Sequence, residues 1–339
     1  METLSVLIIG CGNIAGGYDQ FMPEEALPLG HAKAFLKHGG FALKACVEPD
    51  SVKRLAFQQR WHVPNGFTSL QDKDLQVGKY DVISICSPTN SHTEDLKTAL
   101  ALKPKLIFCE KPITSSLYST QLAVKTCDDN QVLLAVNYTR RWSPQVAHLK
   151  SELDGGHWGE IRSVSAVYNK GILNNGSHML DLFLCLFGPL RVTSVGKAVE
   201  DFFADDPTVD ASLLTERGVT IQLNVAHAKD YALFEMQIVT EKGVISMEDG
   251  GARWRLRRPN SSEKLAGYSF LNTGEWLEPE GSFAMTAAVN NIFNALQRGS
   301  PLASTGNNAL QAQVLCEQIK KMALKKINNK FLRTRFYEY

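Results

Sequence analysis

The chain has 339 residues, of which 44% are hydrophobic and 21% are charged, and its formal net charge at pH 7 is +1. This length favours two domains. The balanced charge argues against a nucleic-acid or membrane-surface partner. No apolar run approaches the ~20 residues of a transmembrane helix. The seven cysteines include no C-x-x-C pair and the first residues carry no basic segment, so we expect a cytoplasmic protein with reduced thiols and no metal site.

The first 140 residues alternate short apolar runs with helical patterns. Near-continuous apolar runs are typical of parallel strands that are covered on both faces, and their alternation with helices predicts a doubly wound Rossmann sheet over residues 1–140. Ser91 and Glu94 fit a capping box at the start of one of these helices. The predicted strands are 4–9, 42–48, 81–86, 106–110 and 132–137, and the predicted helices are 31–38, 51–60, 92–102 and 116–129.

The first strand leads directly into the sequence "GCGNIAGG", which contains the pattern G-x-G-x-x-G. In a dinucleotide-binding unit the first glycine allows a tight turn, the second lets the backbone approach a pyrophosphate, and the third lets the next helix pack closely on the sheet. We interpret residues 17–30 as an insertion in the region of that helix. An ordinary glycine-rich turn is the alternative. The cofactor contacts predicted from this motif are Gly10, Gly12, Asn13, Ile14 and Gly16.

Glu48 ends the second predicted strand, where a Rossmann site needs an acid to hold the adenosine ribose. A carboxylate at this place repels a 2′-phosphate and therefore favours NAD over NADP. Lys53 and Arg54 follow closely and leave NADP open as the less favoured cofactor. The alternative is that Glu48 is simply a charge that marks the end of the strand.

Two further polar segments, "ICSPTNSH" and "CEKPIT", each follow a predicted strand at the sheet edge where ligands bind in such folds. In the second segment Glu110 is placed to bond a ribose, Lys111 to put an ammonium near the reacting carbon, and Pro112 to fix the turn. A tripeptide is a weak signal by itself, and an ordinary surface lysine is the alternative for Lys111.

From about residue 160 the pattern changes to alternating apolar and polar residues, as in a sheet with one buried face. We therefore predict an α+β domain over residues 141–339, built on a large, mostly antiparallel open sheet. The final helix, about 307–326, is left open to pack back on the Rossmann domain. The predicted strands are 161–168, 191–198, 210–215, 220–226, 233–240 and 244–247, and the other helices are 177–186 and 283–297.

Five segments in order, "GCGNIAGG", "ICSPTNSH", "CEKPIT", "NYTRRWSP" and "GSHMLDLFLCLFG", give the chain a resemblance to the glucose–fructose oxidoreductase / inositol dehydrogenase / MocA family. The resemblance spans essentially the whole chain. It implies an N-terminal domain that binds NAD(H) or NADP(H) and a C-terminal domain whose open sheet builds homodimers or homotetramers. It also implies oxidation or reduction at a carbinol carbon of a sugar, a cyclitol or a sugar nucleotide.

The same resemblance assigns roles to individual residues. Lys111 matches the active-site lysine, His178 matches the histidine of the second-domain helix, and Asp181 is expected to be structural. For the two arginines among the substrate contacts, a solvated turn is an equal alternative. The cofactor contacts implied are Ser87, Pro88, Thr89, His92, Glu110 and Lys111, and the substrate contacts implied are Tyr138, Arg140, Arg141 and Asn174.

Asn174 departs from the family pattern, which usually has an aspartate four residues before the histidine. An amide cannot accept a proton as a base, so His178 is the expected proton acceptor, with Lys111 polarising the substrate oxygen. The alternative is that Lys111 serves as the base, which requires a lowered pKa. Asparagine here is similar to members that act on UDP-linked sugar acids. We therefore hypothesise an anionic sugar substrate, such as a sugar nucleotide, in polysaccharide biosynthesis. A non-catalytic regulatory protein on this fold and a cyclitol or dihydrodiol dehydrogenase are the alternatives.

Overall fold

The computed structural model describes residues 3–277 and 283–335, and the chain divides into two compact units. The first unit comprises Met1–Pro144 and Ser282–Leu310, and the second comprises Gln145–Gly281 and Gln311–Tyr339. Residues 282–310 thus group with the first unit, whereas the sequence pattern suggested that they belong to the second.

The described residues form sixteen strands and nine α-helices. The strands are β1 (Leu4–Ile9), β2 (Phe41–Val47), β3 (Asn65–Phe67), β4 (Val82–Ile85), β5 (Leu106–Cys109), β6 (Leu133–Val136), β7 (Ile161–Tyr168), β8 (Leu190–Phe203), β9 (Asp206–Thr215), β10 (Thr220–Val225), β11 (Phe234–Thr240), β12 (Gly243–Glu248), β13 (Arg253–Arg257), β14 (Pro259–Ser261), β15 (Ser269–Leu271) and β16 (Glu275–Leu277). The helices are α1 (His31–His38), α2 (Ser51–Trp61), α3 (His92–Ala101), α4 (Leu117–Asp129), α5 (Thr139–Trp142), α6 (Pro144–Asp154), α7 (Ser177–Phe187), α8 (Phe283–Arg298) and α9 (Gly306–Arg335).

The first unit is built on a six-stranded parallel sheet with the order β3-β2-β1-β4-β5-β6. This is the order typical of dinucleotide-binding folds, and it confirms the predicted Rossmann sheet. Strands β1, β4 and β5 are almost wholly buried, which explains their near-continuous apolar sequences. Strand β3 was not predicted, because Asn65 and Gly66 are residues that strands usually avoid.

Helix α8 belongs to the first unit because its apolar face completes that unit's core. Met285, Val289 and Ile292 are buried there, and the ring of Phe293 lies 5.7 Å from that of Phe41 on β2. After α8 the chain covers the edge of the sheet, since Val136 of β6 accepts a hydrogen bond from the hydroxyl of Ser304 at 2.7 Å. Burial of these side chains, rather than position in the sequence, therefore decides the grouping.

The insertion predicted at residues 17–30 is present, and it divides one helix into two pieces. The N–H of His31 donates to the carbonyl of Ile14 at 3.1 Å, and that of Ala32 donates to Ala15 at 2.8 Å. Helix α1 therefore continues the turn that begins at the glycine motif. Asp19, which is fully buried, closes the inserted loop by accepting hydrogen bonds from the N–H groups of Leu29 and Gly30.

The second unit is built on an eight-stranded sheet with the order β16-β13-β12-β11-β7-β10-β9-β8. Strands β7 and β10 run parallel and the other neighbours run antiparallel, which confirms the mostly antiparallel sheet. Strand β13 was not predicted, although Trp254 and Leu256 alternate with arginines there in the pattern of a half-buried strand. Strands β14, β15 and β16 are three residues each and were also missed.

The last helix, α9, contributes to the core of the second unit. Leu315, Cys316, Ile319 and Ala323 are buried in that core, and the thiol of Cys316 donates to the carbonyl of Ile172 at 3.3 Å. The predicted capping box at Ser91 is wrong, because the Ser91 side chain makes no capping hydrogen bond in α3. In the ranges 3–277 and 283–335, we find no helix with the length and apolar character needed to cross a bilayer.

Candidate functional site

The first unit reverses its strand order between β1 and β4, and the glycine motif begins at this point. Gly10 follows β1 with a φ of +83°, a conformation that glycine adopts without strain. A Cβ atom on Gly10 would lie 2.7 Å from the backbone nitrogen of Ser87, just after β4. Only glycine therefore allows the two strand ends to approach this closely, at the edge where ligands bind in parallel α/β sheets.

The turn after Gly10 has the features of a phosphate-binding helix start. The N–H groups of Gly16 and Gly17 donate to the carbonyl of Gly12, whereas those of Gly12, Asn13 and Ile14 have no acceptor among the described residues. A Cβ on Gly12 would meet nothing within 4 Å, so the space in front of this turn is open. Unpaired N–H groups at a helix start are suited to bind an anion, and the turn therefore fits a dinucleotide pyrophosphate.

Gly16 has a different neighbour from the one expected. A Cβ at this position would overlap the indole nitrogen of Trp61, which is buried at the end of α2. The third glycine thus lets α2, rather than the sheet, approach the turn. A cavity of about 350 Å³ opens beside it, and Gly12, Asn13, Lys53 and Arg60 are among the residues that line it.

Glu48 lies immediately after β2 and is fixed by two backbone donors. Its Oε2 accepts from the N–H of Cys11 at 3.0 Å, and its Oε1 accepts from the N–H of Asp50 at 3.1 Å. Glu48, Ser87 and Pro88 help to line a second cavity, of about 440 Å³, next to the glycine turn. A carboxylate held at the mouth of this cavity suits the hydroxyls of a ribose.

The two basic residues that follow Glu48, Lys53 and Arg54, have different surroundings. The guanidinium of Arg54 donates to the carbonyl oxygen of Glu48 at 2.6 Å and so supports the backbone of the turn. Lys53 lines the smaller cavity, beside the glycine turn. The side chain of Arg54 is therefore used structurally, while Lys53 borders space that a ligand can enter.

His92 holds two loops together. It is 1% exposed, its Nε2 lies 2.9 Å from the carbonyl oxygen of Ser87, and its Nδ1 lies 3.0 Å from that of Pro112. Ser87 also donates from its hydroxyl to Asp95 at 2.5 Å, while Thr89 is half-buried between these residues. The expected cofactor contact at His92 is thus a buried tie between the segments that follow β4 and β5.

Glu110 is likewise bonded within the protein. Its Oε1 lies 2.9 Å from Nε2 of His31 and accepts from the side-chain amide of Asn137 at 2.6 Å. Burial alone raises the pKa of Glu110, but the hydrogen bonds and the charges of His31 and Lys111 lower it below its ordinary value. Lys111 is half-buried and is joined to Pro112 by a cis peptide bond. Glu110 is therefore an internal anchor beside Lys111.

The substrate contacts expected from "NYTRRWSP" lie on and before the one-turn helix α5. Tyr138 is 2% exposed and precedes α5, whereas Arg140 and Arg141 lie within it and are half-buried. The burial of Tyr138 makes it a support of the turn in this unit. The two arginines keep part of their surface open to solvent.

In the second unit, Asn174 and His178 lie on one continuous helical segment. A π-helical turn, Gly171–Gly176, leads directly into α7, and both residues are half-buried. Residues four apart lie on neighbouring positions of a helix surface, so these two can act on one ligand. The side-chain amide of Asn174 donates to the carbonyl of Lys170 at 3.1 Å. Asp181, expected to be structural, is 1% exposed.

Two aspartates that the sequence pattern did not single out hold this π-helical turn. Asp206 accepts from the N–H groups of Leu173 at 2.8 Å and Asn174 at 2.9 Å, and Asp201 accepts from the N–H of Lys170. Burial raises the pKa of Asp206, although its two N–H donors favour the charged form. A Cβ on Gly171 would overlap the Asp206 carboxylate, so glycine is required there. The aspartates are distant in sequence from the turn, and no local pattern reveals them.

No cluster of three histidine, cysteine, aspartate or glutamate side chains suited to a metal ion occurs in the part of the chain that the structure describes. The polar groups at the edge of the first sheet are instead backbone N–H groups, one fixed carboxylate and one lysine. Such a set is suited to an anionic organic cofactor.

Comparison with known proteins agrees with this geometry. The family model described as "Oxidoreductase family, NAD-binding Rossmann fold" matches residues 4–138. Inositol 2-dehydrogenase of Rhizobium meliloti is 26% identical over 261 residues, which cover 70% of this chain and 76% of that protein.

Solved structures share the fold over nearly the whole chain. The WlbA dehydrogenase from Bordetella pertussis, crystallised with NADH and UDP-GlcNAcA, superposes with a TM-score of 0.74 at 19% identity and covers 95% of this chain and 97% of its own. An oxidoreductase from Agrobacterium radiobacter, in complex with NAD+, L-tartaric acid and magnesium, gives a TM-score of 0.73 at 19% identity, with coverage of 95% and 96%.

Because Glu48 would bond the ribose hydroxyls and repel a 2′-phosphate, replacing it by alanine should narrow the preference for NADH over NADPH. Loss of a hydrogen bond to a charged group weakens binding by about 1.5–3 kcal/mol, or roughly tenfold or more in the Kd of NADH. Titration calorimetry with both cofactors measures the change. Glu94→Ala, an exposed carboxylate that lines the same cavity, is the matched control and should keep the wild-type ratio. Tighter binding of NADPH than of NADH by the wild type would contradict the prediction.

Proposed function

We propose that the chain, which matches the glucose–fructose oxidoreductase / inositol dehydrogenase / MocA family of NAD-binding oxidoreductases over residues 4–138, transfers a hydride at a carbinol or keto carbon of an anionic sugar derivative, such as a sugar nucleotide. The observation that carries the proposal is the open turn of unpaired N–H groups at Gly12, Asn13 and Ile14, with Glu48 fixed next to it. That arrangement fits both the pyrophosphate and a ribose of NAD.

The proposed reaction uses chemical groups of both the cofactor and the chain. A bound nicotinamide supplies the hydride acceptor or donor. Lys111 places an ammonium that polarises the substrate oxygen and stabilises negative charge as it develops there. His178 takes the hydroxyl proton during oxidation and returns it during reduction, because a neutral imidazole is the side chain best matched to that step near pH 7. Asn174 offers an amide that bonds a substrate hydroxyl without adding charge.

The proposed substrate class rests on the charges of the residues assigned to bind the substrate. Asn174 occupies the position where a carboxylate would repel phosphates or a uronic acid group, and Arg140 and Arg141 bring cations that pair with such anions. The likeness to a dehydrogenase crystallised with UDP-GlcNAcA is consistent with this class. We therefore propose that the substrate is a sugar nucleotide or sugar acid, that the reaction belongs to polysaccharide biosynthesis, and that it takes place in the cytoplasm, where NAD is available.

We also propose that the second unit forms a homo-oligomer through its sheet. On β7, Val164 and Ala166 face the core, whereas Ser165 between them is exposed. Ser165 pairs in register with Gln222 on one side and Gln237 on the other, and both are also exposed. The sheet thus presents a polar second face that a copy of the same chain can cover, giving a homodimer or homotetramer.

Replacing Lys111 or His178 by alanine should lower turnover by about 10²–10⁴-fold, the usual effect of removing a charge-stabilising or proton-transfer group. The Kd of NADH should change little, because neither side chain belongs to the glycine turn. Turnover is followed by nicotinamide absorbance with a panel of nucleotide sugars, free sugars and cyclitols, and NADH binding by fluorescence titration.

Exposed residues provide the matched controls, namely Lys97→Ala and His148→Ala, whose side chains are 78% and 72% exposed. Both should retain wild-type turnover. Near-normal kcat in Lys111→Ala or His178→Ala would remove that residue from the chemistry. If the wild type binds NADH and a nucleotide sugar but transfers no hydride, the non-catalytic alternative is correct.

Asn174→Asp tests the substrate class. The added carboxylate should raise the KM of nucleotide sugars by about tenfold, since a like charge near the ligand costs on the order of 1 kcal/mol or more, and it should improve turnover of neutral polyols. The neighbouring Asn175→Asp adds the same charge one residue away and should have a smaller effect on KM. A wild type that prefers myo-inositol or free glucose to every nucleotide sugar would contradict the proposed substrate.

The molecular mass in solution tests whether the protein forms a homo-oligomer. Light scattering at micromolar concentration should give a dimer or tetramer for the wild type. Ser165→Glu should shift the protein toward the monomer, because it brings like charges together across the face. Lys73→Glu, an exposed change in the first unit, should leave the mass unchanged. A monomeric wild type would refute the proposed assembly.

A further inference from the structure

We propose that His31 is a positioning residue that acts through Glu110: its imidazole fixes the Glu110 carboxylate and offsets that carboxylate's charge beside Lys111. The inference rests on the proposed function, because it matters for turnover only if Lys111 takes part in the chemistry. The interactions themselves lie entirely within the first unit and outside both cavities described above.

The imidazole of His31 is held on both of its nitrogens. The side chain is fully buried, with Nε2 at 2.9 Å from Oε1 of Glu110 and Nδ1 at 2.8 Å from the hydroxyl of Ser84 on β4. Its ring centroid lies 4.5 Å from that of Phe108 on β5. Packing and hydrogen bonds on both nitrogens therefore fix the orientation of the ring.

The contacts of His31 favour its charged form. Burial alone lowers the pKa of His31, but neighbouring Cys86 and the hydrogen bond and charge of Glu110 raise it to about 10. Because the folded-state pKa is raised, the imidazolium form is present at neutral pH and is lost only as the pH rises through that value. With the pKa of Glu110 lowered, the two side chains form a buried ion pair.

Glu110 connects this ion pair to the segment that carries Lys111. Asn137, at the end of β6, donates to the same Oε1 at 2.6 Å, and the backbone N–H of Glu110 donates to the carbonyl of Ile85 at 3.0 Å. The carboxylate is thus held by α1 and by the residue after β6, while its own backbone is bonded to β4. The next residue is Lys111, whose charge acts on Glu110.

The charged and titratable groups around Glu110 come from several elements. They are His31 on α1, Lys111 next in the chain, Cys109 on β5 and Cys86 after β4. Burial raises the pKa of Cys109 well above its ordinary value, so this thiol stays neutral. Among the described residues, His31 and Lys111 are therefore cations near one carboxylate. Removing either one changes how strongly that carboxylate stabilises the charge of the other.

The continued helix explains how His31 reaches this place. The insertion separates His31 from the glycine motif in sequence, yet the bonds from His31 to Ile14 and from Ala32 to Ala15 restore the helical path. The first residue of α1 therefore points to the end of β5. Asp19 closes the loop and prevents the insertion from displacing that residue.

Acylation of the Lys111 amine tests the charge balance without any substrate. Wild type, His31→Gln, Glu110→Gln and the double variant are treated with an acetylating ester at a fixed pH of about 8, where free amine rather than ammonium reacts. The rate at Lys111 is read by peptide mass spectrometry, and that at exposed Lys97 in the same digest is the internal control.

His31→Gln leaves Glu110 without its buried cation, so Lys111 should hold its proton more tightly and react about threefold or more slowly. Glu110→Gln removes the carboxylate, and Lys111 should react faster. In the Glu110→Gln background, adding His31→Gln should have no further effect, because His31 acts through Glu110. Faster reaction in His31→Gln, equal effects of His31→Gln in both backgrounds, or no effect would overturn the inference.

Turnover separates this inference from the proposed function. In His31→Gln, kcat should fall by about tenfold while the Kd of NADH stays near the wild-type value, and the fall should again be absent in the Glu110→Gln background. If Lys111→Ala retains activity, the proposed function fails whatever the acylation rates show. If Lys111→Ala is inactive but His31→Gln has normal kcat and normal acylation, only the role of His31 is refuted.

Discussion

The close approach of Gly10 to Ser87 is the constraint on which the site of the first unit depends. Adjacent parallel strands are bonded along β1 and β4, and the backbone can leave β1 this close to Ser87 only if Gly10 carries no side chain. That exit directs the following N–H groups toward open space and brings Cys11 to the carboxylate of Glu48. The turn proposed to bind a pyrophosphate and the acid proposed to bind a ribose therefore have one geometric origin.

The two units fix their functional segments by the same means, a buried acid that bonds a distant loop. In the first unit Glu110 joins His31 and Asn137, and in the second Asp206 bonds the N–H groups of Leu173 and Asn174. A buried carboxylate is costly unless its hydrogen bonds are satisfied. Each acid therefore holds its partners in one arrangement, and a half-buried residue next to it, Lys111 or Asn174, is presented from a rigid base.

The sequence alone predicted the features that depend on residues close together in the chain. The periodicity of 4–9 and 161–168, the glycine spacing and the position of Glu48 all follow from neighbouring residues, and the corresponding strands and turn are present. It missed contacts between residues far apart in the chain. The place of α8 in the first core, the roles of Asp201 and Asp206, and the engagement of Glu110 by His31 depend on burial that no local window contains.

The insertion shows that the start of the helix keeps its geometry even when inserted residues lengthen the spacing between the glycine motif and α1. A helix needs its hydrogen-bond ladder and not a continuous chain, so the bonds of His31 and Ala32 to Ile14 and Ala15 maintain the axis while the inserted residues form a loop to one side. The N–H groups of Leu29 and Gly30 would lose their acceptor without Asp19, whose carboxylate accepts from both of them. One acidic residue therefore makes the insertion compatible with the turn that precedes it, and the N–H groups of that turn remain available to an anion.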